Sequence, residues 1–204
     1  MIPRRPWTAA GVILLALAAL LLAPPTARSK GADDAAAAAA DRPAELKVLD
    51  RWVGEWDMEA SIKPNEFMPQ GSKSTYATTI RWAINGRFLR CDAEGSGSQG
   101  DRKFKDAFMW VASFDPNLKA YTSTVFWANV GGGGPDMWGG GLRGVGKWDE
   151  AAKTLTIVTN HDNGVVDTSV TTWADADHHG FVSSMKDQAG KVVMEMSGKA
   201  TRRK

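Results

Sequence analysis

The segment YATTIRWAINGRFLRCDA, residues 76–93, shows most directly what kind of fold this chain adopts. From Tyr76 to Ile84 every second residue is aromatic, aliphatic or a threonine, whereas Arg81 falls on the opposite face. A period of two residues is typical of a strand with one buried face. Asn85 and Gly86 have the side chains that a tight hairpin turn prefers. The segment therefore predicts an antiparallel hairpin.

Similar alternation recurs along the chain, and short turns rich in Asp, Asn, Gly and Pro separate the segments. The regular spacing leaves no room for crossover helices, so we expect each strand to pair with its neighbours. A sheet of about ten strands exposes two edges unless it closes. The pattern predicts an all-β fold, an antiparallel up-and-down β-barrel, with a two-sheet sandwich as the alternative. Further predicted strands begin at Trp56 and cover residues 104–114, 120–130, 142–148, 154–159, 165–173, 181–186 and 192–201.

A short N-terminal helix is predicted before the first strand. Pro43 suits a first helical position, and Leu46, Leu49 and Trp52 follow at helical spacing. Gly54 ends this pattern. The helix would seal one end of the barrel through Trp52, and the sequence does not show which end.

The N-terminus resembles a secretory signal peptide, because Arg4 and Arg5 precede an apolar run over residues 9–23. An uncleaved anchor is the alternative, although a span needs roughly 20 residues. We predict a signal peptide at 1–29, a low-complexity linker at 30–42 and a barrel domain at 43–204. The mature protein would be exported, periplasmic or secreted, and without a stable membrane span after processing.

Several short motifs together resemble a known family. These are Gly54-Glu55-Trp56, INGRFL at 84–89, SFDPNLKAYTST at 113–124, DADHHGF at 175–181 and GKVVMEMSGKATRRK at 190–204. They resemble a bacterial calycin-like family known only as domain of unknown function fifteen seventy-nine, related in fold to lipocalins and fatty-acid-binding proteins. The resemblance implies that Trp56 closes one barrel end and that Arg202 or Arg203 covers its ring.

Composition and residue spacing exclude several functions. Much of the net charge of +2 lies in the signal and at the C-terminus, so nothing suggests nucleic-acid binding. His161, His178 and His179 lie in turn-rich segments, where we expect solvated side chains and no metal. Nitrobindins, also calycins, bind haem through a histidine near the C-terminus. This chain has no histidine after His179, so we expect no cofactor.

Aromatic residues are the strongest candidates for a site. Tyr76, Trp82, Phe108, Trp110 and Trp127 fall in predicted strands, where they line a ligand cavity or simply pack the core. Asp106 shares a strand face with Phe108, either inside the cavity or at the strand's solvated end.

The glycine-rich run GGGGPDMWGGG, residues 131–141, predicts a loop at one barrel end, with Met137 and Trp138 as a ligand gate.

These observations favour a binding protein for a small, hydrophobic ligand. Two alternatives stay open at this point. One is an enzyme that acts on a lipid-like or pigment-like substrate in the same cavity, although no catalytic residue can be assigned. The other is an interaction module of the cell envelope with a filled barrel.

Overall fold

The computed structural model describes residues 42–130 and 137–204. Helix α1 (Ala44–Lys47) continues into a 3-10 helix (Val48–Trp52), and ten strands follow. The predicted signal peptide and almost all of the linker lie outside the described residues. The strands are β1 (Gly54–Ile62), β2 (Ser72–Ala83), β3 (Phe88–Gln99), β4 (Arg102–Asp115), β5 (Ala120–Val130), β6 (Met137–Asp149), β7 (Thr154–Asn160), β8 (Val166–Trp173), β9 (His178–Lys186) and β10 (Val192–Arg202).

The ten strands form one closed antiparallel barrel, in which every strand pairs with its neighbours in sequence and β1 also pairs with β10. The closing register sets Trp56 opposite Arg202 and Met58 opposite Ala200. Closure satisfies the edges that an open sheet would expose. The predicted barrel and its short N-terminal helix are thus confirmed, and the sandwich alternative is wrong. In the part of the chain described, no helix is long and apolar enough to cross a bilayer.

The predicted hairpin joins β2 to β3. Asn85 and Gly86 have φ angles of 54° and 71°, and the Arg87 N–H donates to the Ile84 carbonyl over 3.1 Å. Positive φ at both central residues is the geometry that Asn-Gly favours. Ile84 was expected to share the inward face of β2, and that expectation is wrong. Pairing stops at Ala83, and the Ile84 side chain is largely exposed.

Strand β6 begins earlier than expected. Met137 and Trp138 pair with Asn129 and Ala128 of β5, so placing their backbone in a loop was wrong. The register shifts between Thr124 and Phe126, which marks a β-bulge. Glycine residues tolerate the backbone angles of such a bulge. The strand therefore continues through the glycines at 139–141 and does not end there. Residues 131–136 lie outside the described residues, and a gating role for this segment stays a prediction.

The barrel interior is packed at one end. We call it the packed end, where β1, β3, β5, β7 and β9 begin. Inward side chains there are almost completely buried, whereas outward neighbours such as Glu55 and Asp57 are exposed. Those buried side chains belong to Trp56, Ile80, Leu89, Cys91, Ala93, Ala112, Tyr121, Leu155, Trp173 and Ala200.

The two helical turns close the packed end. Their buried residues are Leu46, Leu49 and Trp52, which belong to the same core cluster as the inward strand residues. The Tyr121 hydroxyl donates to the Glu45 carbonyl over 2.8 Å and so holds the helical segment on β5. The N-terminal segment is therefore an integral part of the barrel core, which answers which end Trp52 seals.

Trp56 lies at the centre of this closure. Its ring is fully buried, its indole N–H donates to the Trp52 carbonyl over 2.8 Å, and the Arg202 guanidinium lies 4.1 Å from the ring centroid. A stacked cation contributes on the order of 0.5 to 2 kcal/mol. Gly54 has φ of +135°, and a Cβ there would overlap the Arg202 guanidinium. Glycine is therefore required two residues before the tryptophan.

We predict that Trp56→Ala lowers the free energy of unfolding by about 3 to 5 kcal/mol, the range for deleting a buried tryptophan. Chemical denaturation of the full chain measures this. Phe126→Ala, on the exposed face of β5, is the control and should cost less than about 1 kcal/mol. A loss below about 1 kcal/mol for Trp56→Ala would contradict its role in closing the barrel.

A second prediction concerns Gly54. Gly54→Ala combines a left-handed backbone with the overlap at Arg202, whereas Gly190 has φ of +80° and nothing within 4 Å of its Cβ position. We expect Gly54→Ala to cost at least about 1 kcal/mol more than Gly190→Ala in the same denaturation experiment. Equal costs would show that backbone strain alone explains the glycine.

Candidate functional site

The half of the barrel farther from the helical turns, which we call the open half, is less tightly filled. In each strand of the open half, every second side chain points inwards, as the strand register shows. These side chains share one interior with the buried side chains of the packed end. Most of these inward side chains are nevertheless partly exposed to solvent, although the barrel is closed and Ser183 among them is buried. Solvent therefore reaches the interior. The partly exposed inward residues include Met58, Tyr76, Phe108, Ile157, Ser169, Phe181 and Met196.

Aromatic rings in the open half lie against glycines of neighbouring strands. A Cβ at Gly97 would overlap the ring of Phe104, and one at Gly198 would overlap the ring of Phe181. Because these glycines carry no side chain, both rings can lie close to the barrel wall. A larger residue at either position would push the ring towards the barrel axis. The glycines thus preserve interior space.

Three of the five predicted cavity residues meet in the open half. Tyr76 and Phe108 are in edge contact, with ring centroids 5.2 Å apart, and Trp127 pairs with Phe108 on the adjacent strand. Trp127 is 43% exposed, which is high for an inward position and leaves its indole available for contact. Trp110 lies deeper, 6.3 Å from Trp52 between ring centroids, and forms the floor between the two halves.

Trp82 is not part of this group. Its indole N–H donates to Asp50 over 2.7 Å, and the Arg42 guanidinium lies 4.3 Å from its ring centroid. The ring is therefore held by the N-terminal segment at the packed end. Placing it with Tyr76 and Phe108 in one cavity is wrong, because β2 runs from the open half to the packed end between Tyr76 and Trp82.

Two inward carboxylates are held by hydroxyl groups. The Tyr76 hydroxyl donates to Asp106 over 2.6 Å, and the Ser183 hydroxyl donates to Asp167 over 2.6 Å. Asp106 therefore points into the barrel interior and contacts Tyr76. Asp106 is on β4 and Asp167 on β8, four strands apart in a barrel of ten, so the pairs occupy nearly opposite walls.

Burial controls the ionisation of both pairs. Burial, together with the hydrogen bond to Asp106, raises the pKa of Tyr76 well above its ordinary value, so this hydroxyl stays protonated at neutral pH. Burial also raises the pKa of Asp167, opposed by the Ser183 hydrogen bond and by the nearby charge of His161. These groups can donate and accept hydrogen bonds in an otherwise apolar interior.

The Asp167 pair was missed in the sequence because the strand segment VDTSVTTW carries hydroxyl or carboxyl groups on both faces. Its inward face is Asp167, Ser169, Thr171 and Trp173, as the pairing with β7 and β9 shows. Alternation alone does not distinguish these faces. The bulky Trp173 at one end of this strand was the feature that could have shown which face points inwards.

His179 also differs from expectation. It was predicted in a solvated turn, but β9 begins at His178 and directs His179 into the packed end. Its ring centroid lies 4.6 Å from that of Trp173 and 5.0 Å from that of Trp56. Burial, and then the positive charge of Arg202, lowers the pKa of His179 to about 4. His179 is thus a neutral member of the core.

Other reactive chemistry is weakly represented. Burial and the adjacent Asp92 raise the pKa of the Cys91 thiol to about 12, so little thiolate forms at neutral pH. Within residues 42–130 and 137–204, no three His, Cys, Asp or Glu side chains are grouped to hold a metal ion. The open half is therefore the candidate site, with an aromatic wall and two hydroxyl-bound carboxylates.

Sequence comparison places the chain in a family. Residues 42–202 match the family described as "Protein of unknown function (DUF1579)", which covers the whole described barrel. The chain belongs to the DUF1579 family. No curated protein matches this DUF1579 sequence.

The barrel of this DUF1579 protein resembles solved structures at low sequence identity. The S-type phycobiliprotein lyase CPES from Guillardia theta is 16% identical, with a TM-score of 0.53, over 80% of this chain and 94% of that chain. A protein of the DUF3598 family from Nostoc punctiforme is 7% identical, with a TM-score of 0.21, over 79% and 100%. The CPES likeness shows a shared fold.

The protonation of His179 predicts a pH dependence. Because its pKa is about 4 when folded and about 6.5 when unfolded, its contribution to stability is complete above pH 6.5 and is lost as pH falls towards 4. The loss is roughly 3 kcal/mol for a shift of this size.

Denaturation of wild type and His179→Gln between pH 7.5 and 4 measures this difference. Asp115, Asp167 and Asp175 titrate alike in both proteins and cancel. Parallel stability profiles would show that His179 does not titrate with a lowered pKa.

Proposed function

We propose that this DUF1579 protein is an exported binding protein for a small, mainly apolar molecule that occupies the open half of the barrel. The observation that carries this proposal is the contrast in burial along one interior. Inward residues are buried at the packed end, whereas Tyr76, Phe108 and Trp127 remain partly exposed. Covering apolar surface contributes about 25 cal/mol per Å², so a ligand that covers these rings gains affinity.

The carboxylates narrow the chemistry of this ligand. Asp106 and Asp167 each accept one hydroxyl hydrogen bond and add negative charge to the interior. An anionic ligand would be repelled, whereas N–H or O–H donors would find acceptors on nearly opposite walls. The ligand therefore combines an apolar body with hydrogen-bond donors. The similarity to CPES concerns the fold, so it supports only that a barrel of this kind can have room for a ligand.

Export is the second part of the proposal, and it rests on the signal-like residues 1–29. Expression of the full chain in a bacterium, followed by fractionation and intact mass measurement, tests it. We expect a periplasmic or secreted species that has lost the residues up to Ala27 or Ser29. A full-length species in the cytoplasm would contradict export without affecting the binding proposal.

Ligand binding is tested with the neutral apolar dye N-phenyl-1-naphthylamine. Ile157 points into the open half and its neighbour Val158 points outwards, so Ile157→Trp fills the interior and Val158→Trp is a matched control. We expect Ile157→Trp to weaken binding about tenfold or more, equivalent to about 1.4 kcal/mol, and Val158→Trp to leave it unchanged.

Phe108→Ala provides a second test that removes volume instead of adding it, and circular dichroism checks that each variant folds. Native mass spectrometry of the wild type should also show a copurified molecule or a complex with the dye. Full affinity in Ile157→Trp, or no dye binding by the wild type, would contradict binding in the open half.

An enzyme that uses the same cavity is the second candidate, favoured by the 2.6 Å contact between Tyr76 and Asp106. Tyr76 would supply the proton donor and Asp106 the acceptor. An extracted ligand that changes mass after incubation with wild type, but not with Asp106→Asn, would support catalysis. An unchanged ligand would support binding alone. The partly exposed interior argues against an interaction module with a filled barrel.

A further inference from the structure

A second concave surface lies on the outside of the barrel. A groove of about 810 Å³ crosses β10, β1, β2, β3 and β4, on the outer wall of the open half. Its side chains, such as Ser61 and Thr75, alternate along the strands with the inward Ala60 and Tyr76. The groove is thus separated from the interior by the sheet itself. Its volume is in the range of small-molecule sites.

The strand register arranges the groove residues in a row across the five strands. In order they are Ser197, Ser61, Lys73, Ser98 and Lys103, because each is the direct partner of the next. Neighbouring strands lie about 4.8 Å apart, so the backbones at Lys73 and Lys103 are about 10 Å apart with Ser98 between them. The row contains two ammonium groups, three hydroxyls and no carboxylate.

Some lysines of the barrel are paired with a carboxylate, whereas others, such as Lys105 and Lys147, have no ion pair with any residue that the structure describes. Lys63, Lys191 and Lys199 each have a carboxylate within 3.2 Å. Lys73 and Lys103 have no ion pair with any residue that the structure describes. Their positive charges therefore face the groove without an acidic partner.

The adjacent row adds hydroxyls and a further cation. It runs through Lys199, Glu59, Thr75, Ser96 and Lys105 by direct pairing. Glu59 is occupied by Lys199 at 3.2 Å. The hydroxyls of Thr75 and Ser96 both donate and accept hydrogen bonds. The next row towards the packed end carries Asp57 and Glu94, so the cationic region is bounded on that side.

We propose that this outer groove binds an acidic saccharide. Its carboxylate or phosphate group lies between Lys73 and Lys103, and the sugar hydroxyls contact the serine and threonine hydroxyls of the two rows. Ammonium groups supply donors and charge for the acid group, and hydroxyls match the mixed donors and acceptors of a sugar. A plain anion would use only the lysines, whereas a saccharide uses both groups. The site is independent of the ligand in the interior.

Binding of trigalacturonate to the full chain tests the proposal, measured by isothermal titration calorimetry at low salt. Cellotriose is the neutral control, and inorganic phosphate and glucose 6-phosphate separate a plain anion from a small sugar acid. We expect trigalacturonate to bind, and to bind more weakly as the salt concentration rises. Cellotriose and inorganic phosphate should each bind at least about fivefold more weakly than trigalacturonate. Tighter binding of glucose 6-phosphate than of trigalacturonate would still support the acidic saccharide class and indicate a phosphosugar.

Lys103, Ser98 and Lys147 point outwards from the barrel wall, so changing them should keep the fold. Lys103→Gln and Ser98→Ala should each weaken trigalacturonate binding about two- to fivefold. Lys147→Gln makes the same charge change on β6, two strands from β4 and near the packed end, outside the groove, and should have no effect. Ile157→Trp should also have no effect, which separates this site from the interior.

Any of four results would overturn the proposal. Equal binding of phosphate and trigalacturonate would indicate an unspecific anion site. If Lys103→Gln and Lys147→Gln weakened trigalacturonate binding equally, the ligand would be attracted to the cationic protein in general. The same conclusion would follow if duplex DNA bound more tightly than trigalacturonate and its binding was weakened equally by both variants. No measurable binding of either saccharide acid at millimolar concentration would exclude the site.

Discussion

The contact between Arg202 and Trp56 is the constraint on which the rest of the barrel depends. The guanidinium covers the indole, donates to the backbone carbonyls of Arg51 and Val53 in the N-terminal segment, and also donates to the carbonyl of Ala176 in the turn before β9. It thus joins the beginning and the end of the described chain, which are about 150 residues apart in sequence. Such long-range closure is entropically costly. One planar cation with several donors offsets part of that cost at a single position.

The requirements of this closure spread to the surrounding residues. Gly54 leaves room for the guanidinium, Trp52 accepts the hydrogen bond of the Trp56 indole, and His179 fills the space beside both rings. His179 stays neutral because burial, and then the positive charge of Arg202, lowers its pKa. Most of the fully buried side chains lie at this end, whereas the inward side chains of the open half include polar groups and partly exposed rings.

Alternation and turn chemistry were sufficient to predict the fold, because every strand carries one face that the barrel buries. They also placed Phe108 and Asp106 on the same face of one strand, although they left open whether Asp106 lies in the interior or at the solvated end of the strand. They failed where glycine or hydroxyl residues removed the contrast between faces. Strand β6 was read as starting at Leu142, because its glycines carry no side chain pattern, and Asp167 and Ser183 were missed on polar strands.

Trp82 and His179 could not have been placed from the sequence. Both are separated in sequence from the groups that hold them: Asp50 contacts Trp82, and Trp56 contacts His179. Position along the barrel axis depends on the stagger between strands, which local alternation does not encode. The outer groove shares this origin, since its two lysines are adjacent only through the register of three strands.

Both ends of the described chain lie at the packed end, because the helical segment enters there and β10 finishes beside it. The molecule therefore has two chemically distinct poles. A tag or surface linked at residue 42 or at Lys204 would therefore hold the protein by its packed end. The open half of the barrel would then point away from the point of attachment.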